Sequence, residues 1–201
     1  MGLPRILHVS DIHCANDRLE YLLSQASGYD VIVASGDFEC VDTARLLLEL
    51  AAAPVVAVTG NLDNAAVARV LRDAGVLLDG RLASVGGLAF AGVGGLDAHG
   101  SMEALLRRAS EEGVSRVDVL VTHHPPRGVL DRTFIGVRAG LRELWSVIER
   151  LRPSVHLFGH IHEAGGVHSE NGTVFVNPGP LKRGWYAVVE GPPWRAERRR
   201  L

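Results

Sequence analysis

The feature that most constrains this fold is a set of short apolar runs rich in β-branched residues. They lie at residues 6–9, 31–34, 55–58 and 117–121. Such runs are typical of strands buried on both faces. Good helix-forming stretches separate or follow them, at residues 44–50, 65–71, 102–108 and 141–151. Alternation of strand and helix predicts an α/β domain with a mainly parallel sheet at its start.

The second half of the chain has a different pattern. Residues 81–93 predict two strands around Gly86-Gly87, and Asn171-Gly172 predicts a hairpin turn. Further strands are expected at residues 154–158, 173–176 and 185–189. Two packed sheets with helices outside accommodate this order. We therefore predict one domain over residues 1–201, with residues 195–201 as an Arg-rich, solvated tail.

Composition excludes several classes of protein. The chain has 201 residues, 47% of them hydrophobic and 22% charged, which argues against disorder. A net charge of -2 argues against a protein-wide attraction to nucleic acid. No apolar run reaches the ~18 residues of a membrane span. Two cysteines, Cys14 and Cys40, do not make a disulfide framework and are interpreted as small buried hydrophobes, so the predicted location is a reducing cytoplasm.

Polar side chains follow the predicted strands. They form five motifs: Ser10-Asp11-Ile12-His13, Ser35-Gly36-Asp37, Thr59-Gly60-Asn61-Leu62-Asp63, Thr122-His123-His124 and Gly159-His160-Ile161-His162. Because ligands of an open α/β sheet bind outside the carboxyl ends of its strands, these loops are expected to converge at one rim. At a spacing of two residues, both side chains of an Asp-x-His or His-x-His pair can face one site.

The residue types in these motifs predict a metal centre. The proposed ligands are Asp11, His13, Asp37, Asn61, His123, His160 and His162. Seven groups exceed what one tetrahedral ion takes, so two divalent ions sharing a carboxylate are expected. Mixed oxygen and imidazole ligands suit Mn, Fe, Zn, Co or Ni, with Mn favoured here, better than an all-oxygen cage suits Ca or Mg.

The five motifs, in this order, resemble the calcineurin-like metallophosphoesterase family from residue 6 to about residue 180. The resemblance implies a four-layer α-β-β-α fold and hydrolysis of phosphoesters by a hydroxide held on two metal ions. It assigns one ion to Asp11, His13 and His162, and the other to Asn61, His123 and His160. Asp37 would bridge the two ions. Asn61 would also orient the substrate phosphate, and Asp63 would support the site by hydrogen bonding a neighbouring loop or ligand.

One position departs from the family pattern. Much of the family has histidine directly after the motif asparagine, whereas this chain has Leu62. Leucine cannot protonate a leaving group, which argues for phosphodiesters or other esters of acidic alcohols. His124 and His99 are candidate substitutes for contact with the substrate; the alternatives are a supporting or exposed role for His124 and a surface role for His99.

The favoured function is therefore hydrolysis of phosphodiesters of small, nucleotide-like substrates. One alternative is a nuclease, and another is an interaction scaffold with weak or no catalysis. The retained aspartates and histidines argue against the scaffold. Neither the physiological substrate nor the oligomeric state follows from the sequence.

Overall fold

The computed structural model describes residues 2–201 and contains two β-sheets. Sheet 1 has the order β11-β10-β1-β2-β3, and sheet 2 has the order β4-β5-β6-β7-β9-β8. The strands are β1 (Arg5–Val9), β2 (Val31–Ala34), β3 (Val55–Ala57), β4 (Arg81–Val85), β5 (Leu88–Val93), β6 (Val119–Thr122), β7 (Val155–Leu157), β8 (Gly166–Glu170), β9 (Thr173–Asn177), β10 (Trp185–Glu190) and β11 (Arg195–Arg200). The pairs β1–β2 and β2–β3 are parallel, as are β5–β6, β6–β7 and β7–β9, which confirms the parallel start of the fold.

Five α-helices cover the outer faces of the sheets. They are α1 (Asn16–Gln25), α2 (Val41–Leu50), α3 (Ala65–Asp73), α4 (Ala98–Glu111) and α5 (Leu144–Leu151). Leucines of the first three helices pack on Leu7, Val9 and Ile32 of sheet 1. The last two helices pack on Leu120 and Phe175 of sheet 2. Helices thus flank both sheets on the outside.

A third apolar cluster fills the space between the sheets. Ile6, Val33 and Val56 of sheet 1 meet Val121 and Leu157 of sheet 2, and all five side chains are buried. Alternate residues of one strand face different layers, since Leu7 belongs to the outer cluster and Ile6 to the inner one. The result is the predicted four-layer α-β-β-α arrangement of two mixed sheets.

Two predicted details need correction. Residues 195–201 are not a solvated tail, because Arg195–Arg200 forms β11 and pairs antiparallel with β10. The contacts of Arg198 explain the difference. Its guanidinium stacks 4.3 Å from the Trp185 ring centroid and donates to the carbonyls of Pro178 and Gly165. These three partners of Arg198 lie outside β11. The pattern of residues 195–201 by itself therefore did not predict a strand.

The second correction concerns the cysteines. Cys14 and Cys40 are joined by a disulfide, with their Cα atoms 5.4 Å apart, and both residues are half-buried. The pairing arises because the loops after β1 and β2 run side by side, as shown by the Cys14 N–H donating to the Phe38 carbonyl at 3.1 Å. The cysteines therefore no longer support a reducing cytoplasm as the location. Within residues 2–201, no helix combines the length and apolar character that crossing a bilayer requires.

Candidate metal centre

The predicted site residues lie in five loops at the carboxyl ends of β1, β2, β3, β6 and β7. Backbone hydrogen bonds join these loops to one another. Asp11 N–H donates to the Gly36 carbonyl at 3.0 Å, and His13 N–H donates to the Asp37 carbonyl at 2.9 Å. Gly159 N–H donates to the His123 carbonyl at 3.0 Å. His160 N–H, in the loop after β7, donates to Asp11 Oδ2 at 3.1 Å, so the rim crosses both sheets.

Unusual backbone geometry concentrates at this rim. Nine non-glycine residues between residues 2 and 201 have a positive φ. Six of them belong to these loops: Asp11, His13, Cys14, Asp37, Glu39 and His160. Such conformations cost free energy and persist where the surroundings impose them, often at functional sites. The strained conformations therefore lie in the loops that carry the candidate ligands.

The first group of candidate ligands contains Asp11, His13 and His162, whose ligand atoms all lie within 4.8 Å of one another. His162 Nε2 lies 3.1 Å from Asp11 Oδ1 and 3.1 Å from His13 Nε2. His13 Nδ1 lies 2.8 Å from Glu39 Oε1. A carboxylate accepts hydrogen bonds, so this contact assigns the His13 proton to Nδ1 and leaves a lone pair on Nε2.

The second group contains Asp11, Asp37 and His123, all three buried. His123 Nδ1 lies 2.8 Å from the Ser35 carbonyl oxygen, which can only accept. In the neutral ring, the Nε2 lone pair then faces Asn61 Oδ1 at 2.8 Å and Asp37 Oδ2 at 3.5 Å. Three lone pairs thus converge without a proton between them.

This arrangement fits divalent cations. Imidazole rings that bind a metal through one nitrogen commonly donate the other N–H to a carboxylate or carbonyl, as His13 and His123 do here. A cation would satisfy the facing lone pairs of Asp11, Asp37 and the two histidines. Asp11 belongs to both groups by geometry, whereas the resemblance assigned the bridging role to Asp37 alone.

Two glycines allow the loops to close on the carboxylates. A Cβ atom at Gly60 would overlap Asp37 Oδ1, and one at Gly159 would overlap Ser10 Oγ and Asp11 Oδ2. The requirement here is close approach rather than a special φ. These glycines directly precede the predicted site residues Asn61 and His160. The absence of a side chain at each glycine lets the next residue lie close to the carboxylates.

The chain matches the family model described as the calcineurin-like phosphoesterase superfamily domain over residues 5–190. It belongs to that superfamily. Candidate ligands for the divalent metal ions that the family implies are therefore present in this chain.

Curated relatives match this chain over shorter stretches. UPF0046 protein K07C11.7 of Caenorhabditis elegans is 45% identical over 67 residues, which are 33% of this chain and 23% of that relative. Metallophosphoesterase domain-containing protein 1 of Homo sapiens is 44% identical over 63 residues, 30% of this chain and 19% of the relative. The matched stretches thus span about a fifth of these relatives.

Solved structures share the fold over nearly the whole chain. The crystal structure of TT1561 of Thermus thermophilus has a TM-score of 0.77 at 19% identity, covering 98% of this chain and 99% of that one. A dimetal phosphatase from Danio rerio has a TM-score of 0.67 at 11% identity, covering 100% of this chain and 97% of that one. At these identities the likeness establishes the fold.

Asp63 supports the candidate metal centre through backbone contacts. Its Oδ1 accepts from Glu39 N–H and its Oδ2 accepts from Gly60 N–H, each at 2.7 Å. Burial raises the pKa of this carboxyl, although both hydrogen bonds oppose the rise. The expected contact with a neighbouring loop is confirmed. Both oxygens of Asp63 are engaged by backbone N–H groups, which fits the supporting role that the resemblance implies.

His160 and His124 stand beside the second group. The His160 ring centroid is 5.0 Å from that of His123 and 4.4 Å from that of His124. His160 lies outside both groups of ligand atoms described above, but its backbone N–H donates to the Asp11 carboxylate at 3.1 Å. Burial lowers the pKa of His160 to about 4 and of His124 to about 3, so both rings are neutral near pH 7.

His99 differs from its predicted setting. It lies in the first turn of α4 rather than in a loop before the helix, and its side chain is exposed. Asp97 caps this helix by accepting from Gly100 N–H at 3.0 Å. Within the part of the chain that the structure describes, His99 belongs to neither group of candidate ligands. A role in substrate contact stays a prediction without structural support.

Asp11 and His162 shift each other's pKa values. Burial favours a raised pKa for Asp11, but the hydrogen bond with His162 and the charge of His123 lower it to about 2. The same hydrogen bond with Asp11 raises the pKa of His162. Asp11 is thus a carboxylate throughout the neutral range, which is the form that binds a cation.

A cleft of about 480 Å³ opens at the first group. Its lining includes His13, Glu39, Leu62, His162, Lys182 and Arg183. Glu39, Lys182 and Arg183 are not among the site residues predicted from the sequence. Proximity to Asp37 was the available signal for Glu39, while Lys182 and Arg183 reach the site by tertiary folding alone. A larger cavity of about 820 Å³ lies between α5 and the β8–β9 hairpin and contains none of the predicted site residues.

Proposed function

We propose that this phosphoesterase hydrolyses phosphodiesters of small, nucleotide-like molecules with two divalent ions, manganese favoured, bound at its rim. Asp11, His13 and His162 would hold one ion. Asn61, His123 and His160 would hold the second, and Asp37 would be a ligand of both ions. Mixed oxygen and imidazole donors in two adjacent groups support this assignment.

The side chain of Leu62 is the observation that carries the preference for diesters. It is 53% exposed and lines the cleft, while its backbone N–H donates to Asp37 Oδ1 at 2.9 Å. A hydrocarbon therefore occupies the position where much of the family has a proton donor. Loss of general-acid catalysis costs roughly 10²–10⁴-fold when the leaving group is poor, and little when the leaving alcohol is acidic.

The chain's own residues would position and polarise the substrate. When bound, divalent ions supply Lewis acidity that lowers the pKa of water and neutralises phosphoryl charge. Asn61, whose Oδ1 lies 2.8 Å from His123 Nε2, would present its amide to the phosphate. His124, beside His160, would contact the ester oxygen as a neutral imidazole. Glu39 and the Ser35 carbonyl would keep the two ligand rings in one orientation.

A metal-by-substrate screen tests this function. The protein is stripped of metal, loaded with Mn, Fe, Zn, Co or Ni, and assayed with bis-aryl phosphate, mono-aryl phosphate, alkyl monophosphate and cyclic nucleotides. We expect two metal ions per chain by elemental analysis and the highest kcat/KM for diesters. Equal rates on alkyl monoesters and aryl diesters would contradict the preference for diesters. Absence of turnover with every metal would favour the scaffold alternative.

A further inference from the structure

The short turn Leu181–Arg183 is hydrogen bonded to the loop after β1, which contains Asp11. Leu181 N–H donates to the Ser10 carbonyl at 2.9 Å, and Lys182 N–H donates to the Asp11 carbonyl at 3.4 Å. On the other side, Arg200 Nε donates to the Arg183 carbonyl at 3.3 Å. The backbone of Lys182 and Arg183 is therefore held in a constant relation to the first group of candidate ligands.

Both basic residues line the cleft that contains His13 and His162. They are exposed, and among residues 2–201 neither takes part in an ion pair within 4.0 Å. The acidic residue that shares the cleft, Glu39, is engaged by His13 at 2.8 Å. Two cations thus stand at the entrance to the site without an anionic partner from the chain.

The rest of the cleft differs in character. Leu62, which lines it too, is apolar and exposed. A single phosphodiester carries one negative charge, which divalent ions bound at the candidate ligands would neutralise by themselves. Unpaired Lys182 and Arg183 therefore exceed what the scissile phosphate requires. Guanidinium and ammonium groups placed together are the side chains that proteins use to bind phosphate.

We propose that Lys182 and Arg183 form a subsite for a second phosphate of the substrate, next to the phosphoester that is cleaved. The inference rests on the proposed function and narrows its substrate class to phosphodiesters that carry another phosphoryl group. A nucleotide diester with a terminal phosphate and a diester of a diphosphate share this chemistry. Selectivity then arises from charge at the cleft entrance rather than from recognition of a base.

A matched pair of chromogenic substrates tests the subsite in the metal-loaded protein. One is the p-nitrophenyl ester of thymidine 5′-phosphate, and the other is the same ester with an added 3′-phosphate. We expect kcat/KM to favour the second substrate by about tenfold in low salt, because two charge-assisted contacts of modest strength are added. In the variant Lys182→Gln/Arg183→Gln the two substrates should react with similar kcat/KM. Arg107→Gln/Arg108→Gln, an equal loss of charge on exposed α4, should keep the wild-type ratio.

Binding provides a second measurement that does not depend on turnover. Calorimetric affinity for thymidine 3′,5′-bisphosphate should exceed that for thymidine 5′-phosphate, and the Lys182→Gln/Arg183→Gln variant should abolish the difference. Hydrolysis of both chromogenic esters at equal kcat/KM by the wild-type protein would overturn the subsite while leaving phosphodiesterase activity intact. Hydrolysis of neither ester would instead refute the proposed function. A preserved preference in the variant would overturn the assignment to these two residues.

Discussion

Nδ1 of His13 lies 2.8 Å from Oε1 of Glu39. This contact turns the other ring nitrogen, Nε2, towards Asp11 and His162 and fixes which nitrogen carries the proton. Asp63 in turn holds the Glu39 backbone at 2.7 Å. A chain of two carboxylates therefore sets the orientation of one candidate ligand.

Replacing Glu39 should weaken metal binding without removing a ligand. In Glu39→Gln the amide can present either oxygen or nitrogen to His13, so the ring loses its preferred proton position. We expect about tenfold to 100-fold weaker affinity for Mn by equilibrium dialysis. Glu49→Gln, an exposed position on α2, is the control and should bind Mn as the wild-type protein does. Unchanged affinity in Glu39→Gln would show that Glu39 does not orient the ring.

Removing the buried Asp37 carboxylate should lower the metal content and abolish the activity. Its Oδ2 lies 3.5 Å from His123 Nε2, so Asp37→Ala removes a charge from the second group while leaving the first group in place. Elemental analysis should show at most one ion per chain, and hydrolysis of bis-aryl phosphate should be lost. Retained activity in Asp37→Ala would contradict the two-ion mechanism.

A proton donor at position 62 should broaden the substrate range. Leu62 lines the cleft and is exposed, so Leu62→His places an imidazole there without disturbing the core. We expect kcat for alkyl phosphoesters to rise by up to about 100-fold, with little change for aryl diesters. Leu62→Ala separates loss of bulk from gain of a proton donor and should show no such rise. A uniform effect on alkyl and aryl substrates would argue against a missing general acid.

The disulfide between Cys14 and Cys40 should stabilise the fold. It closes a segment with a sequence separation of 26 residues, and the chain-entropy model gives about 3.5 kcal/mol for a loop of this size. Denaturant unfolding of Cys14→Ser/Cys40→Ser should show a loss of that order. Addition of a dithiol reductant should lower the wild-type midpoint and leave the variant unchanged. Equal midpoints for the wild-type protein with and without reductant would mean that the bond does not contribute.

Buried His156 should make the metal-free protein sensitive to acid. Burial lowers its pKa from 6.5 to about 3, while Nε2 contacts Thr122 Oγ1 at 2.9 Å and Nδ1 has no hydrogen-bond partner. Protons bind the unfolded chain first, so stability is complete above pH 6.5 and falls as pH drops towards 3. The slope is about 1.4 kcal/mol per pH unit.

The measurement is the free energy of unfolding at several pH values between about 6.5 and about 4. His156→Gln keeps a group able to contact Thr122 but does not titrate, so its curve should be flatter than that of the wild-type protein. His168→Gln, at an exposed position, should leave the slope unchanged. Parallel curves for wild type and His156→Gln would contradict a neutral buried imidazole.

Much of the architecture was predictable because its causes are local. Burial on both faces demands continuous apolar strands, and residues 31–34 and 55–58 have that pattern, as do β2 and β3 in the structure. Gly86-Gly87 and Asn171-Gly172 occupy the turns between paired strands, as expected. Helix α1 escaped prediction, since its apolar residues Leu19, Leu22 and Leu23 lie among charged ones on a short element.

The sequence by itself determined the family, the layer order and the set of polar residues that could meet at strand ends. Tertiary structure alone decided which atoms face one another: Glu39 on His13, the Ser35 carbonyl on His123, Cys14 on Cys40, and the turn of Lys182 at the cleft. The physical reason is range. Strand and turn preferences act over a few residues and are written in the local pattern. Hydrogen bonds between loops depend on how two sheets pack, and residues 26 to 149 positions apart acquire a common environment only then.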